Sequence, residues 1–104
     1  MRSSKRARLE KKGWKVGTVQ EFLELSSEEV AYIELKLRLS ASLRERRKRR
    51  KLSQVQLAEL IESSQSRVAK MEGGDPSVSI DLLIRSLLTL GASKRELARV
   101  ISST

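Results

Sequence analysis

Along this chain a Ser or Thr is repeatedly followed three positions later by Glu or Gln, as in Thr18 with Glu21, Ser26 with Glu29, Ser53 with Gln56 and Ser93 with Glu96. In that pairing each side chain satisfies a free backbone N–H near the start of a helix, so each pair marks a helix beginning. Gly73, Gly74, Pro76 and Gly91 stand where such helices must stop. Glycine takes a left-handed backbone at low cost, and proline cannot continue the hydrogen-bond ladder. Alternating apolar and polar runs of the strand type are missing. The chain therefore reads as all-α, a compact bundle of about five to six helices. They are expected at 18 to 25, 27 to about 50, 54 to 61, 65 to 72, 80 to 90 and 94 to 102.

A length of 104 residues leaves room for one domain and one core. Residues 1–12 carry Arg2, Lys5, Arg6, Arg8, Lys11 and Lys12 with Leu9 as the sizeable apolar group, the pattern of a basic flexible tail. Residues 13–39 read as an N-terminal helical extension and residues 40–104 as the main domain. In the long helix Val30, Ile33, Leu37, Ala41 and Leu43 are expected to form the inward stripe.

Lys and Arg number 22 against 13 Asp and Glu, a formal net charge of +9, which points to a polyanionic partner. The excess concentrates in Arg44-Glu45-Arg46-Arg47-Lys48-Arg49-Arg50-Lys51. Cations also complement the dipole at a helix C-terminus, so a solvated helix end is the plainer reading. A purely solubilising surface would mix signs, and this run is nearly all positive. Because a helix turns only part of its circumference toward any one surface, Arg44 and Lys51 are the candidates to reach a phosphate backbone.

Histidine and cysteine are both absent, which removes the commonest metal ligand, the usual general base and all thiolate chemistry. No glycine-rich phosphate loop occurs. An enzyme, a metal centre and a cofactor are not expected. No run of about 18 apolar residues exists and the basic start lacks the apolar stretch of a secretion signal, so a cytoplasmic chain with no membrane partner is expected.

Between residues 54 and 61, Val55, Leu57, Ala58, Leu60 and Ile61 give one side to bury. Three residues separate this helix from the next, too few to fold back antiparallel, so the two should cross steeply as a helix-turn-helix. In such a unit the second helix lies in the major groove of a DNA duplex and offers its N-terminal side chains to base edges. That helix, 65 to 72, has Val68 and Met71 as its apolar anchors. Its polar residues Gln65, Ser66, Arg67 and Lys70 suit base and phosphate contact, since glutamine pairs with adenine and Lys or Arg donates to guanine. A merely solvent-exposed face is the alternative. Ser64 would cap the helix at the edge of the same surface. Gln54, first in the preceding helix, either meets a phosphate or assists capping.

The stretch "LSQVQLAELIESSQSRVAKMEGG" resembles the phage-repressor (Cro/C1, or XRE-like) helix-turn-helix family, over about residues 40 to 92. The resemblance implies a lambda-repressor-like bundle, a homodimer and a double-stranded DNA operator as partner. It also implies a structural ion pair between Arg47 and Glu72, tying the first helix of the domain to the end of the recognition helix. One departure is plain: Glu62 stands where the family's turn usually has glycine, so a left-handed backbone there would be strained. More broadly, "GWKVGTVQEFLELSSEEVAYIELKLRLSASLRERRKRRKLSQ" and "GDPSVSIDLLIRSLLTLGAS" are similar to HigA-type antitoxins, which implies an mRNA-cleaving toxin as a further partner.

Trp14 and Phe22 either clamp the long helix as a small satellite core or form a partner-binding surface. Leu97, Val100 and Ile101 either cap the core or form a dimer seam, the seam being favoured. A stand-alone regulator without a toxin is the runner-up. An RNA-binding module is a third reading, disfavoured by an aromatic content of 3%, because single-stranded RNA readers stack bases on aromatic rings.

Overall fold

Four of the helices end in the same way, and those endings set the path of the chain. The structure, a computed structural model, describes residues 25–103. The basic tail, Trp14, Phe22 and the helix expected from residue 18 fall outside the described residues, apart from Leu25, which is not helical. The described helices are α1 (Ser27–Arg49), α2 (Gln54–Leu60), α3 (Gln65–Glu72), α4 (Ile80–Thr89) and α5 (Lys94–Ser102), with no strand among the described residues. The architecture is all-α, as the capping pairs indicate.

Chain contacts divide the molecule between Glu34 and Leu35. In the first unit, Ser26 and Glu29 close a capping box at the start of α1, which holds the Glu29 carboxyl below its usual range through the Ser26 backbone N–H. In the second unit Ser53 with Gln56 and Ser93 with Glu96 do the same for α2 and α5, while Ser64 and Ser79 cap α3 and α4.

At the four C-terminal ends a backbone N–H bonds back to the carbonyl five residues earlier: Leu52 to Arg47, Ser63 to Ala58, Asp75 to Lys70 and Ala92 to Leu87. This closure needs a left-handed residue just before the donor. Gly74 and Gly91 supply it at φ 73° and 90°, but Lys51 and Glu62 adopt it too, at φ 57° and 54°. The strain expected at Glu62 is present, and a second such position, Lys51, accompanies it.

The core consists of Leu39 and Leu43 from α1, Leu57 and Ala58 from α2, Val68 and Met71 from α3, Leu83 and Leu87 from α4 and Leu97 from α5, with Val78, Leu90 and Ala92 from the connections. The inward stripe of α1 departs from the expected one. Lys36, Leu39, Ser40 and Leu43 are buried, whereas Leu37 and Ala41 are exposed and Ile33 is 44% exposed. Positions 36, 39, 40 and 43 repeat at the three-and-four spacing of one helix face, and Leu37 stands nearly opposite Leu39 on the wheel. The charged member of the buried face has a partner. Lys36 Nζ donates to the Pro76 carbonyl at 3.0 Å, bracing the loop after α3 against α1.

The basic run is also divided by its helical faces. Arg46 pairs with Glu96 on α5, Arg47 with Glu72 on α3, and Arg50 donates to the Leu90 carbonyl at 2.7 Å, satisfying the open end of α4. Arg44, Lys48, Arg49 and Lys51 remain exposed. The expected dimer seam at Leu97, Val100 and Ile101 is corrected in part: Leu97 belongs to the core, Val100 packs against it, and Ile101 is 42% exposed. Spacing puts all three on one side of α5, and Ile101 is the member nearest the open end of that helix.

Candidate nucleic-acid interface

α3 is an eight-residue helix held by Val68 and Met71, both fully buried. At 3.6 residues per turn the opposite side of the wheel carries Ser66, Lys70 and Gly73, flanked by Gln65 and Ala69 on one edge and Arg67 on the other. Gln65, Ser66, Arg67, Ala69 and Lys70 are all exposed. The helix thus presents a hydrophilic outer face that no other part of the described chain covers. Ser64 Oγ accepts the Arg67 backbone N–H at 3.1 Å and fixes the start of the helix. Ser64, Ser66, Arg67 and Lys70 line one shallow depression together with Ser77 and Val78.

A chain of hydrogen bonds runs beneath the other edge. Arg47 grips Glu72 with Nε at 2.5 Å and a terminal nitrogen at 2.9 Å, and its remaining arm donates to the Leu52 carbonyl at 2.7 Å. The Arg47 and Glu72 side chains are only 11% and 4% exposed, and the carboxylate raises the Arg47 pKa further above its ordinary value. Gln54 Nε2 donates to Glu72 Oε1 at 3.3 Å, and Gln54 Oε1 accepts from Gln65 Nε2 at 3.4 Å. The side chain of Gln54 is therefore joined at both ends to α3. Its place in sequence gives no sign of the second link, which depends on how closely α2 and α3 approach.

The loop that follows α3 is fixed from within. Asp75 Oδ1 accepts the Ser77 backbone N–H at 2.8 Å and the Ser77 hydroxyl at 2.6 Å. The Ser77 hydroxyl, above all, holds the Asp75 carboxyl below its usual range. Lys36 adds its bond to Pro76. Neither bracing group stood out in the sequence, because a lysine on a helix reads as solvent-facing until the 36, 39, 40, 43 spacing is traced.

Arg44 lies elsewhere, in a groove shared with Leu37, Ala41, Lys48, Gly73 and the outer side of Glu72. Lys51 sits at the exposed turn between α1 and α2. Neither is gathered into the depression that holds Ser64, Ser66, Arg67 and Lys70.

A tight α2–α3 pair with a hydrophilic second helix and a bracing ion pair is the geometry of a helix-turn-helix, and a family model described as a helix-turn-helix domain matches residues 38–100. The chain belongs to that family. No curated protein and no solved structure matches it. The helix-turn-helix domain begins within α1 and runs almost to the end of α5, so α2 and α3 are the motif and α1, α4 and α5 the scaffold that holds it. A domain of this kind belongs to a DNA-binding regulator. Among the described residues, no helix is long and apolar enough to cross a membrane.

Proposed function

We propose that this protein is a sequence-specific, DNA-binding transcriptional repressor whose α3 enters the major groove of a duplex operator. The observation that carries this reading is the exposure of Gln65, Ser66, Arg67 and Lys70 on a helix whose apolar residues Val68 and Met71 are spent on the core. Gln65 and Ser66 address base edges, while Arg67 and Lys70 serve base or phosphate, and Ser64 sets the start of the helix between them. Arg44 and Lys51 are outlying phosphate contacts. The protein is cytoplasmic, works without metal or cofactor, and is not an enzyme.

It acts as a homodimer in this reading, because one short helix reads few base pairs and a two-fold pair over adjacent major grooves doubles the readout. Leu88 on α4 and Ile101 on α5, exposed at 47% and 42%, are apolar groups available to a second copy. The finer assignment is an antitoxin that represses its own operon and neutralises an mRNA-cleaving toxin, with Trp14 and Phe22 as partner-binding residues. The HigA-like pattern of the segment upstream of the helix-turn-helix supports it. A stand-alone regulator is the alternative, and co-purification with the product of the adjacent gene separates the two.

Selection from randomised duplexes tests the DNA reading. A defined preferred site is expected, with affinity falling steeply as salt rises because bound phosphates release counterions. Gln65→Ala should relax the preference at one position. A Gln65→Ala protein that keeps every wild-type preference would show that Gln65 reads no base.

A further inference from the structure

α1 carries its charges unevenly along its length. Residues 27–35 hold Glu28, Glu29 and Glu34 and no cation, whereas the last turn holds Arg46, Arg47, Lys48 and Arg49. The apolar side chains of the acidic start are not spent on the core: Ile33 is 44% exposed and Val30 is half-buried. Farther along the helix, Leu37 and Ala41 line a groove closed on its other side by Gly73 and Gly74, which bring no side chain to fill it. Leu37 is 50% exposed there. Arg44 and Lys48 line the same groove and are exposed, and among the described residues neither pairs with a carboxylate. Of the two carboxylates in the groove, Glu72 is taken by Arg47 and Glu45 lies 3.6 Å from Arg49. The groove is therefore apolar with positive uncommitted charge, and the start of α1 is apolar with negative charge.

We propose that this groove receives residues 28–34 of a second copy, the two α1 helices packing antiparallel about a two-fold axis at Leu37. The inference rests on the homodimer of the DNA-binding reading and names its surface. Each copy carries one groove and one acidic start on the same helix, so a two-fold contact engages both of them twice. Leu37 against Leu37 sets Ile33 opposite Ala41 and Val30 opposite the aliphatic stem of Arg44. Glu28 and Glu29 then fall, along the axis, between Arg44 and Lys48 of the second copy. A parallel pairing would set carboxylates against carboxylates and cations against cations, so charge selects the antiparallel sense. In this dimer Arg44 meets carboxylates in place of phosphate.

Sedimentation equilibrium of the full chain reads the contact, with thermal unfolding followed for every variant. Wild type is expected to be dimeric. The double variant Arg44→Glu, Lys48→Glu turns the groove negative, and the double variant Glu28→Lys, Glu34→Lys turns the start of α1 positive. Each then repels its own kind, and its dimer should weaken about tenfold or more. An equimolar mixture restores both contacts and should dimerise as wild type does. Cross-linking reads the register, since the chain has no cysteine of its own. Leu37→Cys should form a disulfide with itself, whereas Ile33→Cys and Ala41→Cys should link mainly to each other when mixed. If a charge variant unfolds, the cross-links decide. A mixture that stays monomeric although both charge variants unfold as wild type does, or Ile33→Cys and Ala41→Cys each linking mainly to itself, overturns this surface while wild type remains a dimer. So does a dimer lost through Leu88→Asp or Ile101→Asp and untouched by the charge variants. A wild type monomeric at every concentration overturns the homodimer and this surface together, and leaves the reading of α3 to the duplex selection.

Discussion

Arg47 and Glu72 meet end to end, two guanidinium nitrogens on two carboxylate oxygens at 2.5 and 2.9 Å, and so tie the last turns of α1 to the last turn of α3. With the two side chains 11% and 4% exposed, the pair is buried enough that removing one member strands the other. Glu72→Ala is therefore expected to destabilise the fold by about 3 kcal/mol, the cost of an uncompensated buried charge. Arg47→Ala should lie in the same range, and the double variant well short of the sum. Chemical denaturation of the three proteins gives the comparison. Single variants within about 0.5 kcal/mol of wild type, the range of ordinary surface substitutions, would mean that the pair does not hold α3.

Glu62 closes α2 in a left-handed conformation at φ 54°. A side chain there costs about 1–2 kcal/mol, and glycine returns part of that gain by loosening the unfolded chain. Glu62→Gly should thus stabilise the domain by about 0.5–1 kcal/mol, read as a higher denaturation midpoint at unchanged slope. Lys51→Gly, at φ 57°, should act in the same direction. A lowered midpoint in both variants would show that these turns are not strained.

Acid should loosen the tie between α1 and α5. Two bonds hold the Glu96 carboxyl down to about 2, first the Ser93 backbone N–H and then the Arg46 guanidinium, against 4.5 in an unperturbed chain. A group whose folded pKa is depressed adds stability that is fully present above the unfolded value and lost as pH falls through the folded one. The stability linked to Glu96 should therefore be complete above about pH 5 and drain away between roughly 4.5 and 2. Asp75, shifted in the same direction by Ser77, adds to the slope. Following the Glu96 carboxyl by NMR from pH 6 to 2 checks this. A midpoint near 4.5 would contradict the two bonds.

What could be read in advance was local. The caps at Ser53, Ser64 and Ser93 depend on neighbours three residues away, so sequence spacing displays them, and the helices begin where those residues stand. Glu62 was legible through the family resemblance, because it stands where that family's turn usually has glycine. Lys51 was not, since a cation at the end of a cationic run draws attention to its charge and away from its backbone. The run from Arg44 to Lys51 also concealed its division of labour: whether an arginine faces solvent or Glu72, Glu96 or the Leu90 carbonyl depends on where α3, α4 and α5 pass, which is long-range information. Leu37 misled for a related reason. Its apolar side chain suggested the core, while the packing face of α1 admits Lys36 and Ser40 and leaves Leu37 half exposed.

The outer face of α3 bears most of the functional weight, and one titration addresses it directly. Isotope-labelled protein mixed with its selected duplex is followed through backbone and side-chain amide signals. The expected result is that the largest shifts fall on Gln65, Ser66, Arg67 and Lys70 and on the Gln65 side-chain amide, while Val68 and Met71 move little. Shifts confined to α4 and α5, or none on α3 with a duplex that binds, would contradict a recognition helix at this position.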